Sequence, residues 1–244
     1  MDKTTGLLAR LEYPGRLIAM ALASAGARAV IVYAITGRSP SSQARQLVLR
    51  DRGIWVKPTD EEVLNKGNVD LLVYPALLFG KEGVAVSNGK QTADIRDGLA
   101  SGAGPISVLA KALAAWDFEP DAPIFTPRIS GCLVRGAAGL SVVRRGESGE
   151  TLRSYFEVPL RKGEGRLVST YEGPNREPLP CFAGEPRRMA LAGTTPRQTA
   201  EDVYRALAPA AQDKDFRVSV ACVLSSLSHP NDPEVHIINR HGRT

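Results

Sequence analysis

Two apolar runs dominate the first forty residues, RLIAMALA at 16–23 and RAVIVYAIT at 28–36, with a short small-residue stretch at 24–27 between them. The pattern predicts a hairpin. The second run is apolar at consecutive positions, so both of its faces need cover and the strand is predicted to lie between layers. RQLVLRD (45–51) and GIWVKP (53–58) read as the next two strands, with a turn at 51–53. VDLLVYPALLF (69–79) and VAVSN (84–88) follow. Pro75, inside the former, predicts an edge, a bulge or a strand end, because proline has no amide hydrogen for a ladder.

The apolar period then lengthens. Ile106, Leu109, Ala110, Leu113 and Trp116 recur at helical spacing, which predicts one face of a helix opening at Pro105, with a shorter helix over 92–100. Strand patterns return over 124–145, 152–160 and 166–171, joined by the glycine-rich charged turns RRGESGE and RKGEGR. A proline- and charge-rich passage, 172–188, crosses the surface. A helix opens at Pro196 with Ala200, Val203, Tyr204 and Leu207 on one face, and FRVSVACVLSSL (216–227) and EVHII (234–238) supply the last strands. Strands grouped with strands, without β-α-β alternation, predict an α+β protein of largely antiparallel sheets covered by helices, as a single domain over 1–244.

Composition narrows the partners. Of 244 residues 43% are apolar and 23% charged, as in an ordinary folded chain, and the net charge of +5 favours anionic ligands. The basic residues are scattered, with only isolated pairs such as Arg144-Arg145, so no nucleic-acid partner is expected. No apolar run nears the roughly 18 residues that span a bilayer, and the charged N-terminal stretch lacks an export signal, so no membrane partner is expected either. Cys132, Cys181 and Cys222 are odd in number, far apart and free of C-x-x-C spacing, which points to a reducing, cytoplasmic setting.

Several kinds of chemistry are unsupported. GVAVSNGKQ (83–91) has one residue too many between its glycines for a phosphate-binding Walker loop and no hydroxyl after its lysine. His229, His236 and His241 crowd the last sixteen residues and fit no zinc pattern; no metal or redox cofactor is expected. There is no G-x-S-x-G elbow, and removal of Met1 would expose Asp2 rather than a nucleophile.

Other residues carry two readings. Arg38 and Arg45 read as exposed loop cations or, with Ser39 and the loop amides, as planar forks for a phosphate. Asn88 and Gly89 form a common turn dipeptide, yet Asn88, Gln91 and Thr92 together offer neutral donors and acceptors suited to an amide or purine-like edge. Tyr74 reads as a half-buried strand aromatic, Glu119 and Asp121 as surface turn residues, and Arg128 as a sheet-edge charge.

Taken together, YPGR (13–16), VIVYAITGRSPSSQAR (30–45), LLVYPALLFG (71–80), VAVSNGKQTADI (84–95) and FEPDAPIFTPRISG (118–131) resemble the archaeal-type IMP cyclohydrolase family in order and spacing. The resemblance implies a four-layer αββα sandwich like that of N-terminal nucleophile hydrolases, without their nucleophile. It implies closure of 5-formamidoimidazole-4-carboxamide ribonucleotide (FAICAR), a purine ribonucleotide precursor, to IMP with loss of water, and a homo-oligomer, dimer or tetramer. Arg45, Tyr74 and Glu119 are then expected to be catalytic, with Arg45 and Tyr74 donating to developing oxygen charge and Glu119 acting as base. Arg38, Ser39, Asn88, Gly89, Gln91, Thr92, Thr126 and Arg128 are expected to bind substrate. Ser41 and Ala44 stand where relatives frequently carry asparagine, so a side-chain amide role in that loop is not expected here. Two other classes fit the residues: an amide hydrolase on the same fold, and a non-catalytic purine-nucleotide or RNA-binding module.

Overall fold

The computed structural model describes residues 3–60, 73–191, 193–209, 214–230 and 232–242. In chain order its first strands are β1 (Arg16–Leu22), β2 (Arg28–Thr36), β3 (Arg45–Arg50), β4 (Gly53–Pro58), β5 (Tyr74–Phe79) and β6 (Gly83–Ser87). β7 (Arg128–Val134), β8 (Ala137–Arg145), β9 (Thr151–Val158), β10 (Glu164–Ser169), β11 (Arg187–Ala190), β12 (Arg217–Ser226) and β13 (Glu234–Asn239) complete the strands. The helices are α1 (Lys3–Leu8), α2 (Pro40–Gln43), α3 (Thr92–Gly98), α4 (Pro105–Ala112) and α5 (Pro196–Ala206).

Two antiparallel sheets form. The first has the order β11-β10-β1-β2-β12-β13 and the second β3-β4-β5-β6-β7-β8-β9. The unbroken apolar run of β2 explains how they meet. Ile31, Tyr33 and Ile35 join the core shared with Ile54, Val56, Leu77 and Val86 of the second sheet. The intervening Val30, Val32 and Ala34 point the other way, into a core with Leu8 of α1 and Ala200 and Val203 of α5. On the far face of the second sheet Ala85, Cys132 and Val143 pack against Ile95 of α3 and Val108 and Leu109 of α4. Fully burying one such aliphatic side chain contributes about 1.5–3 kcal/mol, so the two-faced strand is a major source of stability.

Most predicted elements recur. Pro75 sits where the register of β4 against β5 slips between Ile54 and Trp55, the bulge outcome of the three expected. Residues 69–72 of the fifth predicted strand, and Asp2, lie outside the described residues.

Four details differ. The pattern over 124–145 is two strands, β7 and β8, folded at Arg135 and Gly136, both with positive φ, and its first four residues belong to a loop. α4 ends at Ala112 with Leu113 as its cap, so Trp116 lies beyond the helix; its indole instead donates to Asp94 Oδ2 at 2.7 Å. β11 emerges at the end of the proline-rich passage, where its four residues are too few to show a period. α1 and α2 are likewise too short to announce themselves.

Among the described residues the chain passes between the two sheets twice, from β2 to the edge strand β3 and later from β9 to β10. The chain leaves the first sheet at Thr36 and enters the second at Arg45, so residues 37–44 cross the open end of the sandwich. A Cβ on Gly37 would stand 2.6 Å from the Ser42 backbone, which only glycine tolerates. Ser39 caps α2 in a reciprocal box: Ser42 N donates to Ser39 Oγ at 3.2 Å and Ser39 N donates to Ser42 Oγ at 2.9 Å.

Candidate active site

The crossing at 37–44 forms one wall of a cavity of about 310 Å3 lined by Tyr13, Arg16, Arg38, Ser39, Ser41, Ser42, Arg45, Glu119, Asp121, Ile124, Thr126, Tyr171 and Leu179. Its size falls within the range of small-molecule sites, roughly 300–1,000 Å3. A larger cavity of about 470 Å3 lies beyond Pro14, but only Glu12 and Lys214 bring charge to it. The smaller one gathers three arginines and two carboxylates.

Arg16 opens β1, and the YPGR turn before it is pinned on both sides. Thr36 N donates to Gly15 O at 2.7 Å, and a Cβ on Gly15, at φ +67°, would lie 2.2 Å from Thr170 Oγ1. The Arg16 Nη2 donates to Glu119 Oε1 at 2.7 Å, while its Nε is buried without a partner among the described residues. Burial opposes the Arg16 charge, but Glu119 and the phenols of Tyr74, Tyr171 and Tyr33 outweigh it and hold the guanidinium protonated. Burial pushes the Glu119 carboxyl up, with Arg16 and Arg128 pulling the other way.

Glu119 is held from behind by a buried amide. Asn88 Nδ2 donates to Glu119 Oε1 at 3.1 Å and to Pro127 O at 2.9 Å. Its Oδ1 accepts from Ile129 N at 2.9 Å and Gln91 Nε2 at 3.2 Å. Gln91 Oε1 in turn accepts from Arg128 Nη1 at 3.2 Å, and Arg128 stacks on Trp116 at 4.8 Å. Burial lowers the Arg128 guanidinium, with Glu119 opposing. The Thr92 hydroxyl reaches the carbonyls of Pro75 and Gly89. Asn88, Gly89, Gln91, Thr92 and Arg128 therefore form a supporting layer: they are buried and absent from the cavity wall.

Arg38, Ser39, Arg45, Glu119 and Thr126 do line the cavity. Arg45 is buried, its Nε donating to Ser42 O at 2.9 Å. Arg38 is more open: it lies 5.1 Å over the Tyr13 ring, donates to Asn175 Oδ1 at 3.2 Å and pairs with Glu177 at 2.8 Å. Tyr74 is buried and stands behind the wall, its Oη 2.9 Å from Tyr33 Oη. Burial pushes the Tyr33 phenol well above its ordinary value, and Tyr74 adds to the effect.

Sequence reasoning missed Arg16, Tyr33, Asp121 and Tyr171. Arg16 was within reach, since it closes the YPGR quartet that contributed to the resemblance. Asp121 read as a surface turn, yet Thr126 N donates to its Oδ1 at 2.7 Å and Thr126 Oγ1 lies 2.5 Å from its Oδ2. Tyr171 reaches the wall beside Thr126 and stacks on Tyr13 at 5.7 Å. Among the described residues no group of three or more His, Cys, Asp or Glu side chains is placed to hold a metal ion. Among them, too, no helix is long and apolar enough to cross a membrane.

Comparison with known proteins bears on this cavity. The family described as IMP cyclohydrolase-like protein matches residues 13–228, a span that includes every cavity-lining residue. A protein of Methanothrix thermoacetophila named IMP cyclohydrolase is 28% identical over 167 residues, 68% of this chain and 78% of the relative. One of Natronomonas pharaonis, also named IMP cyclohydrolase, is 31% identical over 178 residues, 73% of this chain and 83% of the relative. With its matched span running from the YPGR turn through β12, the chain belongs to the IMP cyclohydrolase-like protein family.

Proposed function

We propose that this chain is an IMP cyclohydrolase, closing FAICAR to IMP with loss of one water. The observation that carries the reading is the convergence of Arg16, Arg38 and Arg45 with Glu119 and Asp121 in one cavity of a chain of this family. A phosphorylated ligand that develops oxygen charge and sheds protons needs both kinds of group.

The chemistry is intramolecular. The carboxamide nitrogen attacks the formyl carbon, a tetrahedral adduct forms, and its hydroxyl leaves as water. Both reacting groups sit on one ring, so the protein has to select the rotamer that brings them together, a contribution related to the large effective molarities of oriented reactants. Arg38, with Ser39 and the loop amides, holds the 5'-phosphate by exchanging Glu177 and Asn175 for phosphate oxygens. Arg45 and Arg16 receive the charge that develops on the formyl oxygen; losing one such donor typically costs about 3–4 kcal/mol in the transition state.

Glu119 is the base. Its burial, which raises its affinity for a proton, suits a group that takes one from nitrogen and returns it to the departing hydroxyl. Tyr74, expected from the sequence to donate directly, acts from behind the wall, where its bond to Tyr33 and its proximity to Arg16 shape the field at the cavity floor. Asn88, Gln91 and Arg128 act through Glu119 by fixing the loop that carries it, while Gly89 and Thr92 hold the turn that carries Asn88 and Gln91.

The same reading extends to the whole molecule. We take the layers to be the αββα sandwich of N-terminal nucleophile hydrolases, residues 1–244 to act as a single domain, and the protein to be a cytoplasmic homo-oligomer that binds neither nucleic acid nor membrane. Incubation of pure protein with FAICAR, with and without EDTA, and chromatography of the product tests the assignment. IMP accumulating in both arms supports it; unchanged FAICAR in both rejects it.

A further inference from the structure

Tyr171 lines the cavity and has no role in the ring closure as assigned to Glu119 and the arginines. We infer that Tyr171, Thr126 and Asp121 form a one-way hydrogen-bond chain that draws a proton from the bound ligand through the Tyr171 oxygen. The inference deepens the ring-closing reading and rests on it.

The direction of the chain follows from counting hydrogens. Thr126 Oγ1 lies 2.5 Å from Asp121 Oδ2 and 2.6 Å from Tyr171 Oη. An Asp121 carboxylate has no hydrogen to give, so Thr126 donates its only one to Asp121. Asp121 is locked in that role because its other oxygen accepts the Thr126 backbone amide at 2.7 Å. Thr126 Oγ1 can then only accept from Tyr171. The phenol hydrogen therefore points at Thr126, and the phenol oxygen offers nothing but lone pairs to the cavity.

Two further observations agree. Burial pushes the Tyr171 phenol up to about 12, so at neutral pH it keeps the hydrogen that the chain requires. The ring is clamped by stacking on Tyr13, at 5.7 Å between centroids and 18° between planes. The oxygen is thus a fixed acceptor, suited to a ligand N–H and unsuited to a ligand oxyanion.

The reaction supplies a use for such an acceptor. The two hydrogens that leave in the water start on different nitrogens, one on the carboxamide and one on the formamido group. Glu119 serves one of them and the chain serves the other. A ligand N–H bond breaks as an O–H bond forms at Tyr171; the phenol hydrogen passes to Thr126, and the Thr126 hydrogen passes to Asp121. Each hydroxyl ends with one hydrogen, the nitrogen keeps the electron pair, and Asp121 becomes neutral. Asp121 itself lines the cavity, so it can hand that proton to the formyl oxyanion, making the hydroxyl that Glu119 then protonates as it leaves as water.

Thr126→Val keeps the shape and breaks both bonds, whereas Thr126→Ser keeps both bonds. On FAICAR, Thr126→Val and Tyr171→Phe should each lower kcat by about 10²-fold or more, with KM changed only a few-fold, and Thr126→Ser should restore turnover. Rates in mixtures of light and heavy water should curve for the wild type, as several protons move together, and become linear for Thr126→Val. A Thr126→Val enzyme with normal kcat, or one altered only in KM, would overturn the chain while leaving the ring-closing reading intact. If the wild type does not turn over FAICAR, neutron diffraction of the deuterated protein still decides. Deuterons running from Tyr171 to Thr126 to Asp121 support the chain, and Thr126 donating to Tyr171 rejects it.

Discussion

Arg16 Nη2 and Glu119 Oε1 stand 2.7 Å apart, joining the first residue of β1 to a loop 103 residues further along the chain. The bond brings a cation and a carboxylate to the same cavity wall, where neither is freely hydrated. A buried pair of this kind contributes little net stability, while removing one partner costs about 3–5 kcal/mol because the other charge is left uncompensated. Its value is geometric: it fixes where a proton and a developing negative charge can be received.

Glu119→Gln keeps a neutral amide in place of the carboxylate and removes the base. Its kcat on FAICAR should fall by about 10²- to 10⁴-fold, with a much smaller change in KM. Burial raises the Glu119 carboxyl, so the acidic limb of the wild-type pH–rate profile should lie above the ordinary glutamate value of 4.5. That limb should be missing from the residual activity of the variant; a limb at the same pH in both would assign it to another group.

The same shift predicts a pH dependence of stability. A carboxyl whose folded value is raised is favoured by folding in its protonated form. Its contribution is fully present below the ordinary value of 4.5 and is lost as pH rises through the higher folded value. Melting temperatures of wild type and Glu119→Gln, compared across this window, should shift in favour of the variant as pH rises. A difference that stays constant would contradict the assignment.

Arg38 exchanges its protein partners for phosphate, so Arg38→Ala should raise KM by about 10- to 100-fold while kcat changes little, the scale of a hydrogen bond to a charged group. Arg38→Lys should recover only part of the loss, because an ammonium lacks the planar fork. Inhibition by inorganic phosphate should weaken in parallel. Unchanged phosphate inhibition would move the phosphate elsewhere.

The Tyr33 and Tyr74 hydroxyls are each other's partner in a buried site. Tyr33→Phe or Tyr74→Phe alone leaves one hydroxyl unmet and should cost about 1–3 kcal/mol in urea unfolding. The double variant should cost clearly less than the sum, and simple additivity would show that the two do not interact. Tyr74→Phe should also lower kcat more than it raises KM.

What was legible in the sequence and what was not divide along contact distance. The consecutive apolar residues of β2 foretold a strand covered on both sides, because alternation places Val32 against α5 and Tyr33 between the sheets. Arg38 and Arg45 were visible because α2 and one crossing loop carry both to the wall. Tyr171 was not, since its partner lies 45 residues away and no local period encodes such a pair, and Arg16, 103 residues from Glu119, was within reach only through the YPGR quartet. Asp121 has the composition of a surface turn; it faces inward because the Thr126 amide and hydroxyl both claim its oxygens. The amides at Asn88 and Gln91 invited a ligand by type, yet their bonds are already taken by Glu119, Pro127 and Arg128.

The most direct test of the central claim is the rate at which IMP absorbance appears when the folded protein, shown by direct binding to be saturated with FAICAR, is mixed with it in the presence of EDTA. Ring closure many orders of magnitude faster than in buffer is the predicted result. A rate equal to that of buffer, under demonstrated saturation, would contradict it.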